Sequence, residues 1–147
     1  MLRGNSPAKV DDKGRIKIPT LFRKFIEEKY GRECFLTSLS GEFVRIYPMP
    51  AWLALEQKIA DIGSMNLPAL THFMNHVNFY GQVTAMDDQG RILVPPRLRK
   101  SSGIDGEVAV LGYQTYLDIW NQERFETVLK AGPVTDEDRQ ILAAHGI

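Results

Sequence analysis

The sequence predicts a mainly β protein with helices, of the α+β class, built as one compact barrel from two similar halves. Three observations predict this fold: an internal repeat, segments in which apolar and basic residues alternate, and segments with apolar residues at helical spacing. At 147 residues, the chain can bury one good core but is short for two independent domains. We therefore expect the halves to close on each other around a pseudo-twofold axis, with helices flanking the barrel.

The repeat is clearest in two nine-residue segments, 11–19 and 87–95, which lie 76 residues apart and are identical at six positions. Two further pairs of segments match: 22–24 with 98–100, and 43–47 with 116–120. A match that extends over most of both halves indicates a duplication. Two copies of this length are too few to stack as a solenoid, which favours a closed pair.

The first half begins with a predicted β-hairpin. On both sides of its turn, apolar and basic residues alternate with the two-residue period of a strand that has one buried face. In the turn, Asp11 can accept backbone N–H groups and Gly14 tolerates positive φ, so both are predicted to organise it. Pro19 cannot donate to a sheet, so the strand should end there and a helix should follow, with Thr20 as its candidate cap.

The second half repeats this pattern, with Asp87 and Gly90 as the predicted turn-organising residues. Further strands are expected near 35–39, 43–47, 108–111 and 116–120. Between the halves, apolar residues at helical spacing predict two linker helices, one ending at Gly63 and one following Pro68.

The C-terminal third should add two more helices. Asn121 is the expected cap of the first, which ends at Gly132, and the second is expected to begin at Thr135. These elements divide the chain into four parts: a first half (1–60), a linker helix (61–80), a second half (81–131) and a C-terminal tail or helix (132–147).

The charges are separated along the chain although the formal net charge is zero. Residues 1–24 hold seven basic and two acidic residues, a net charge of +5, whereas 101–147 hold three basic and eight acidic residues, a net charge of −5. A basic front and an acidic rear would let one face approach phosphates. The residues expected to contact DNA are Arg3, Lys9, Lys13, Arg15, Lys17, Arg23, Lys24 and Arg91. The second hairpin is expected to be more structural, because Gln89 replaces Lys13 and Leu93 replaces Lys17.

The sequence offers no constellation typical of an enzyme, a metal site or a cofactor site. Cys34 is the only cysteine, and His72 and His76 have helical spacing but no obvious third ligand. Asp11 and Asp12 are adjacent on a turn and are expected to point apart, so acid–base chemistry is not favoured. No apolar run is long enough to span a bilayer, and the first residues do not resemble a secretory signal, so a cytoplasmic protein is expected.

These motifs resemble the MraZ family, a branch of the AbrB-like regulators whose signature is Asp-x-x-x-Arg. The signature occurs twice, from Asp11 to Arg15 and from Asp87 to Arg91, and segments 1–4, 47–52 and 117–120 also look like the family. The resemblance implies an AbrB-like swapped-hairpin barrel that assembles into homo-oligomeric rings. It further implies a nucleoid-associated regulator that binds direct repeats in double-stranded promoter DNA of the cell-division and cell-wall gene cluster, including its own gene.

One alternative of a different class remains open. The chain could form a ring that regulates a protein partner through its acidic C-terminal third, as AbrB-like antitoxins hold toxins. An enzyme is a distant third hypothesis, and neither a small-molecule substrate nor a cofactor is expected.

Overall fold

The structure is a computed structural model and describes residues 1–63 and 67–147. Residues 64–66, which fall within the predicted linker 61–80, lie outside the described residues. The fold is of the mixed α+β class, as predicted, with a large antiparallel sheet, a small antiparallel sheet and six helices among the described residues.

The large sheet has six strands, whose bounds in chain order are β1 (Leu2–Lys9), β3 (Glu33–Thr37), β4 (Val44–Pro48), β5 (Gln82–Ala85), β7 (Glu107–Gln114) and β8 (Tyr116–Asn121). Their spatial order is β1-β7-β8-β4-β3-β5. Strands from the two halves therefore pair with each other at β1–β7, at β8–β4 and at β3–β5 in a single hydrogen-bonded sheet. Only β3–β4 and β7–β8 pair within a half, so each half depends on the other for the rest of its pairing in this sheet.

The small sheet consists of β2 (Arg15–Lys17) and β6 (Arg91–Leu93), one strand from each half. Its central pair is Ile16 with Ile92, which are equivalent residues of the repeat. On either side, the Ile18 amide donates to the Gly90 carbonyl at 2.9 Å and the Val94 amide donates to the Gly14 carbonyl at 2.9 Å. In the repeat, Ile18 is equivalent to Val94 and Gly90 is equivalent to Gly14. The two bonds are therefore equivalent, and the pairing has pseudo-twofold symmetry.

The predicted closed barrel is not formed by the described strands, because β1 and β5 remain the two edges of the large sheet. The predicted pairing of the first hairpin is also mostly wrong. Beyond the turn, the strands flanking it share only one isolated bridge, between Val10 and Ile16, and β1 pairs along its whole length with β7. The small sheet is short because Pro19 lies two residues after the end of β2 and Pro95 lies two residues after the end of β6. Neither proline has an amide hydrogen with which to extend the hydrogen-bonded ladder.

The six helices are α1 (Thr20–Lys29), α2 (Met49–Ile62), α3 (Pro68–Phe79), α4 (Pro96–Ser102), α5 (Gln122–Ala131) and α6 (Asp136–Ala143). The two linker helices are confirmed as α2 and α3. Thr20 is not a cap: α1 has Pro19 at that position and no side-chain capping bond. Thr20 is instead the first residue of the helix, and Pro19 before it has no side-chain acceptor for the first amides.

The predicted starts of the last two helices are confirmed. The Asn121 side chain accepts a hydrogen bond from the Arg124 amide at 3.1 Å. Thr135 and Asp138 form a reciprocal capping box at the start of α6. Both patterns satisfy amide groups that have no partner within the helix.

The main core lies where the two sheets and the short helices meet. Its fully buried residues come from both halves and include Ile16, Ile92, Leu36, Val110 and Ile119. A second cluster, around Phe35, Tyr47, Trp52 and Val77, packs α2 and α3 on the other side of β3 and β4. Cys34 is buried in the main core, and burial raises the pKa of its thiol to about 12, so it stays protonated at neutral pH.

Candidate nucleic-acid interface

The first turn is held by a single carboxylate. Oδ1 of Asp11 accepts hydrogen bonds from the amides of Lys13 at 3.0 Å and Arg15 at 2.9 Å. Oδ2 accepts a third bond, from Nε of Arg15, at 2.8 Å. Gly14 closes the turn with φ of 83°, a conformation that favours glycine. The Asp-x-x-x-Arg signature therefore fixes a backbone turn and an arginine side chain at once.

The second turn has the same arrangement. Oδ1 of Asp87 accepts from the amides of Gln89 at 2.8 Å and Arg91 at 2.9 Å, and Oδ2 accepts from Nε of Arg91 at 2.8 Å. The backbone amide of Arg91 is the main group that lowers the pKa of Asp87, to about 2, and the Arg15 amide lowers the pKa of Asp11 in the same way. Both carboxylates are ionised at neutral pH, so both arginines are held by ion pairs.

The small sheet presents one buried and one outer face. Ile16 and Ile92 point into the core and are at most 1% exposed. Since side chains alternate along a strand, the outer face consists of the residues on either side, and these pair as Arg15 with Leu93 and Lys17 with Arg91. We call these four residues the ribbon face. It brings together three of the residues that the sequence predicts as DNA contacts.

The two arginines of the ribbon face keep their outer nitrogens available. Asp11 binds Nε of Arg15 and Asp87 binds Nε of Arg91. Within 1–63 and 67–147, neither arginine makes a hydrogen bond through Nη1 or Nη2. A bidentate contact with guanine uses two guanidinium nitrogens, and an arginine already fixed at Nε loses little conformational freedom in making it.

Lys13, Lys9 and Lys24 are all exposed. Lys13 occupies the tip of the first turn, next to the ribbon face. Lys9 lies at the end of β1, opposite Glu107 of β7. Lys24 lies on α1, which follows β2 directly.

Two predicted contacts lie apart from the first turn. Arg23 reaches across to the second turn, where Nη2 donates to the Asp88 carbonyl at 2.9 Å while Nε binds Glu27 at 2.8 Å. Arg3 lies near the start of β1, beside Leu21 of α1. Because Lys9 is at the opposite end of that strand, the two backbone positions are about 20 Å apart. The structure therefore does not gather all eight predicted cations into one patch.

Sequence reasoning missed two basic residues beside the first turn, Arg99 and Lys100. The guanidinium of Arg99 lies against Gly14, where a Cβ atom would collide with it, and both residues line a cleft with Asp11 and Asp12. The signal was present in the repeat, since 98–100 matches 22–24. Arg99 lies against Gly14 as Arg23 lies against Gly90, so α4 and α1 each contact the turn of the opposite half.

His72 and His76, which have helical spacing in the sequence, both lie on α3. Nδ1 of His76 lies 2.9 Å from the His72 carbonyl. Among residues 1–63 and 67–147, no group of three or more histidine, cysteine, aspartate or glutamate side chains could hold a metal ion. No helix in this described part is both long and apolar enough to cross a membrane.

The family model described as "MraZ protein, putative antitoxin-like" matches residues 1–72 and 81–140. The chain belongs to the MraZ family. A relative from Acidobacterium capsulatum, named "Transcriptional regulator MraZ", is 46% identical over 147 residues, which cover 100% of both chains. A relative of the same name from Koribacter versatilis is 43% identical over 148 residues, also with 100% coverage of both. A third, from Thermomicrobium roseum, is 34% identical over 85% of this chain and 84% of its own.

The family resemblance seen in the sequence is thereby confirmed. The two matched ranges include both Asp-x-x-x-Arg turns and both strands of the small sheet. The ribbon face of this chain therefore lies within the residues that the family model matches.

Proposed function

We propose that the chain is a sequence-specific DNA-binding transcription regulator, in which the ribbon face and the first turn enter the major groove. The observation that supports this most directly is the pair of arginines held at Nε on the outer face of one two-stranded sheet, where 28% and 26% of their side chains are exposed. The relatives named as transcriptional regulators over their full length support the same function.

The dimensions of the small sheet suit a groove. Two antiparallel strands lie about 5 Å apart, and the major groove is about 12 Å wide, so a two-stranded ribbon with its side chains fits. Arg15 and Arg91 would read guanine edges, while Lys13 and Lys17 would bind phosphates. Lys100 joins them as a phosphate contact beside the first turn.

We also propose that the two turns and the small sheet represent the AbrB-like swapped-hairpin arrangement, formed within one chain by the halves 1–60 and 81–131. The pairing of β2 with β6 and the exchange of the Gly14 and Gly90 bonds support it. The linker 61–80 and the C-terminal part 132–147 would then be additions to this DNA-binding unit.

Several copies should act together. One ribbon face makes few phosphate contacts and should bind weakly at physiological salt. A ring homo-oligomer that engages direct repeats raises the effective concentration at each later site. The family resemblance points to the promoter of the cell-division and cell-wall gene cluster, including the chain's own gene, and hence to a cytoplasmic, nucleoid-associated protein.

The proposal predicts that Lys13→Gln weakens DNA binding without changing the fold. The second turn already carries glutamine at the equivalent position, Gln89, with the same backbone bonds. Affinity for a duplex from the chain's own upstream region should fall, and the slope of log K against log salt should decrease by about 0.9 for each phosphate that is no longer neutralised. Fluorescence anisotropy at several salt concentrations measures both quantities, with Lys130→Gln on α5 as the control.

A second arm of the same titration separates phosphate contacts from base reading. Arg15→Lys keeps the positive charge but loses the planar set of guanidinium donors. The slope of log K against log salt should therefore equal that of the native chain, whereas the preference for promoter over unrelated DNA should fall. If both variants bind as the native chain does, the ribbon face is not the DNA-binding surface.

A second candidate function is a protein-interaction module of the antitoxin type. The exposed apolar residues Val134, Ile141 and Leu142 lie among the acids of the C-terminal third, and the family description includes "antitoxin-like". Recovery of one stoichiometric protein partner, together with no footprint on the upstream DNA, would favour this function.

A further inference from the structure

We propose that Leu93 reads a thymine methyl group in the major groove, next to the base contacted by Arg15. The inference rests on the proposed DNA-binding function and names a specificity residue within it. Neither the charge pattern nor the Asp-x-x-x-Arg signature assigns a role to this position.

Leu93 is an apolar residue on an otherwise cationic surface. It is 49% exposed, although the other apolar residues of the small sheet are buried, and it lies directly opposite Arg15. Its equivalent in the first half is Lys17. The duplication therefore left the ribbon face with one arginine–leucine pair and one lysine–arginine pair, where identical halves would have given two equal pairs.

The register fixes what Leu93 can reach. Opposed side chains in an antiparallel pair have Cβ atoms about 5 Å apart, and residues two apart along a strand are separated by about 7 Å. Base pairs stack about 3.4 Å apart along the duplex. Leu93 should consequently contact a base within about two steps of the one read by Arg15.

The chemistry of the groove selects the target. The edges of the base pairs present hydrogen-bond donors and acceptors in the major groove, and the C5 methyl of thymine is the apolar group among them. A leucine cannot satisfy a donor or acceptor, and placing it over one would leave that group desolvated without a partner. Over a methyl group, the same side chain removes apolar surface of both partners from water.

Leu93 also makes the two ends of the ribbon face chemically different. The pair of Arg15 and Leu93 can recognise a guanine next to a thymine. In the pair of Lys17 and Arg91, the arginine can recognise a guanine while the lysine binds a backbone phosphate. A single chain should thus bind its site in one orientation, despite the pseudo-twofold symmetry of its backbone pairing.

The test uses deoxyuridine, which differs from thymidine only by the missing C5 methyl. Each thymine in turn is replaced by uracil in the shortest upstream duplex that the native chain protects, and affinities are measured for the native chain, Leu93→Ala and Lys17→Ala. The native chain should lose roughly fourfold in affinity at one uracil position, the effect of one buried methyl. Leu93→Ala should bind thymine and uracil duplexes equally, while Lys17→Ala should weaken binding but keep the thymine preference.

Leu93→Met serves as the conservative variant and should restore most of the thymine preference. Circular dichroism of each variant establishes that it is folded, which is expected because Leu93 lies on the surface. If the native chain binds promoter DNA specifically yet tolerates uracil everywhere, or if Leu93→Ala keeps the preference, this inference is overturned and the proposed function stands. Failure of the native chain to prefer promoter over unrelated DNA would instead overturn the proposed function.

Discussion

At the scale of single residues, Asp11 and Asp87 combine two tasks that are usually separate. Each carboxylate satisfies two backbone amides of its turn with one oxygen and orients an arginine with the other. The arginine is thereby held on the surface before any partner binds. Less side-chain entropy is lost on binding, which improves affinity without an additional hydrogen bond to the partner.

The lowered pKa of Asp87 predicts a specific pH dependence of stability. Its pKa is about 2 in the folded chain, against 3.8 for an ordinary aspartate, so the folded state favours the ionised form. This contribution to the free energy of unfolding is fully present above the ordinary pKa and is lost as pH falls toward 2. Asp87→Asn should therefore show a weaker pH dependence than the native chain over that window.

Urea denaturation at a series of pH values between 2 and 5 measures this difference. Asp88→Asn is the matched control, because Asp88 is exposed and does not organise the turn backbone. Equal pH dependence in the native chain and Asp87→Asn would contradict the assigned hydrogen bonds.

At the scale of elements, short structures in this chain are held by polar contacts with the rest of the fold. The clearest case is α5, which has no buried residue and has Asn121 as its N-cap. The Asn121 side chain accepts from the Arg124 amide at 3.1 Å and donates to the Gly103 carbonyl at 3.0 Å. One residue thus caps α5 and ties it to the end of α4.

Asn121→Ala should lower the free energy of unfolding by about 1–2 kcal/mol, because it removes a helix cap and a tertiary hydrogen bond together. Asn121→Asp keeps the acceptor for the Arg124 amide but removes the donor to Gly103, and it should have a smaller effect. Chemical denaturation of both variants gives the comparison. The assigned cap would be wrong if the two variants were equally stable.

At the scale of the whole molecule, the pseudo-twofold axis passes between β4 and β8. Arg45 and Asp118 face each other there at equivalent positions of the repeat, joined by two bonds of 2.8 and 3.0 Å. Burial raises the pKa of Asp118. For Arg45, burial acts to lower the pKa, but the hydrogen bonds and charge of Asp118, together with those of Tyr47, outweigh burial and the pKa is raised. Only 13% of the Arg45 side chain and 6% of the Asp118 side chain are exposed, so each charge compensates the other in a mostly buried site.

This symmetry predicts that the two charges can be exchanged. Asp118→Ala alone should destabilise the chain by about 3–5 kcal/mol, since it leaves Arg45 buried without its partner. The double variant Arg45→Asp with Asp118→Arg should recover most of that loss. Arg45 in the native chain stacks on Tyr116, with the guanidinium 4.2 Å from the ring centre, and an arginine at 118 would meet the equivalent Phe43.

A double-mutant cycle by urea denaturation measures the coupling. Two single substitutions, Arg45→Asp and Asp118→Arg, complete the cycle. A double variant that is as unstable as either of these would show that the environment of the pair is not symmetric.

Local patterns allowed much of the fold to be predicted, because they depend on neighbours in the chain. Helical spacing identified α2 and α3, and polar residues at helix starts identified Asn121 and Thr135. Local patterns did not predict that β1 pairs with β7. The alternating pattern identifies a strand but does not indicate which other strand its backbone will hydrogen-bond to. Local patterns also missed Arg99, whose place beside Gly14 depends on how the two halves interlock.

The sequence by itself determined the duplication, the two Asp-x-x-x-Arg turns and the separation of charge, because these are properties of residue order. Only the tertiary structure decided which strands pair, since backbone hydrogen bonds do not depend on side-chain identity and the core selects among the alternatives. That choice placed β2 against β6 and so set Leu93 beside Arg15, although they are far apart in the chain. The same pairing places Arg23 at the second turn and Arg99 at the first turn, each in the half opposite to its own.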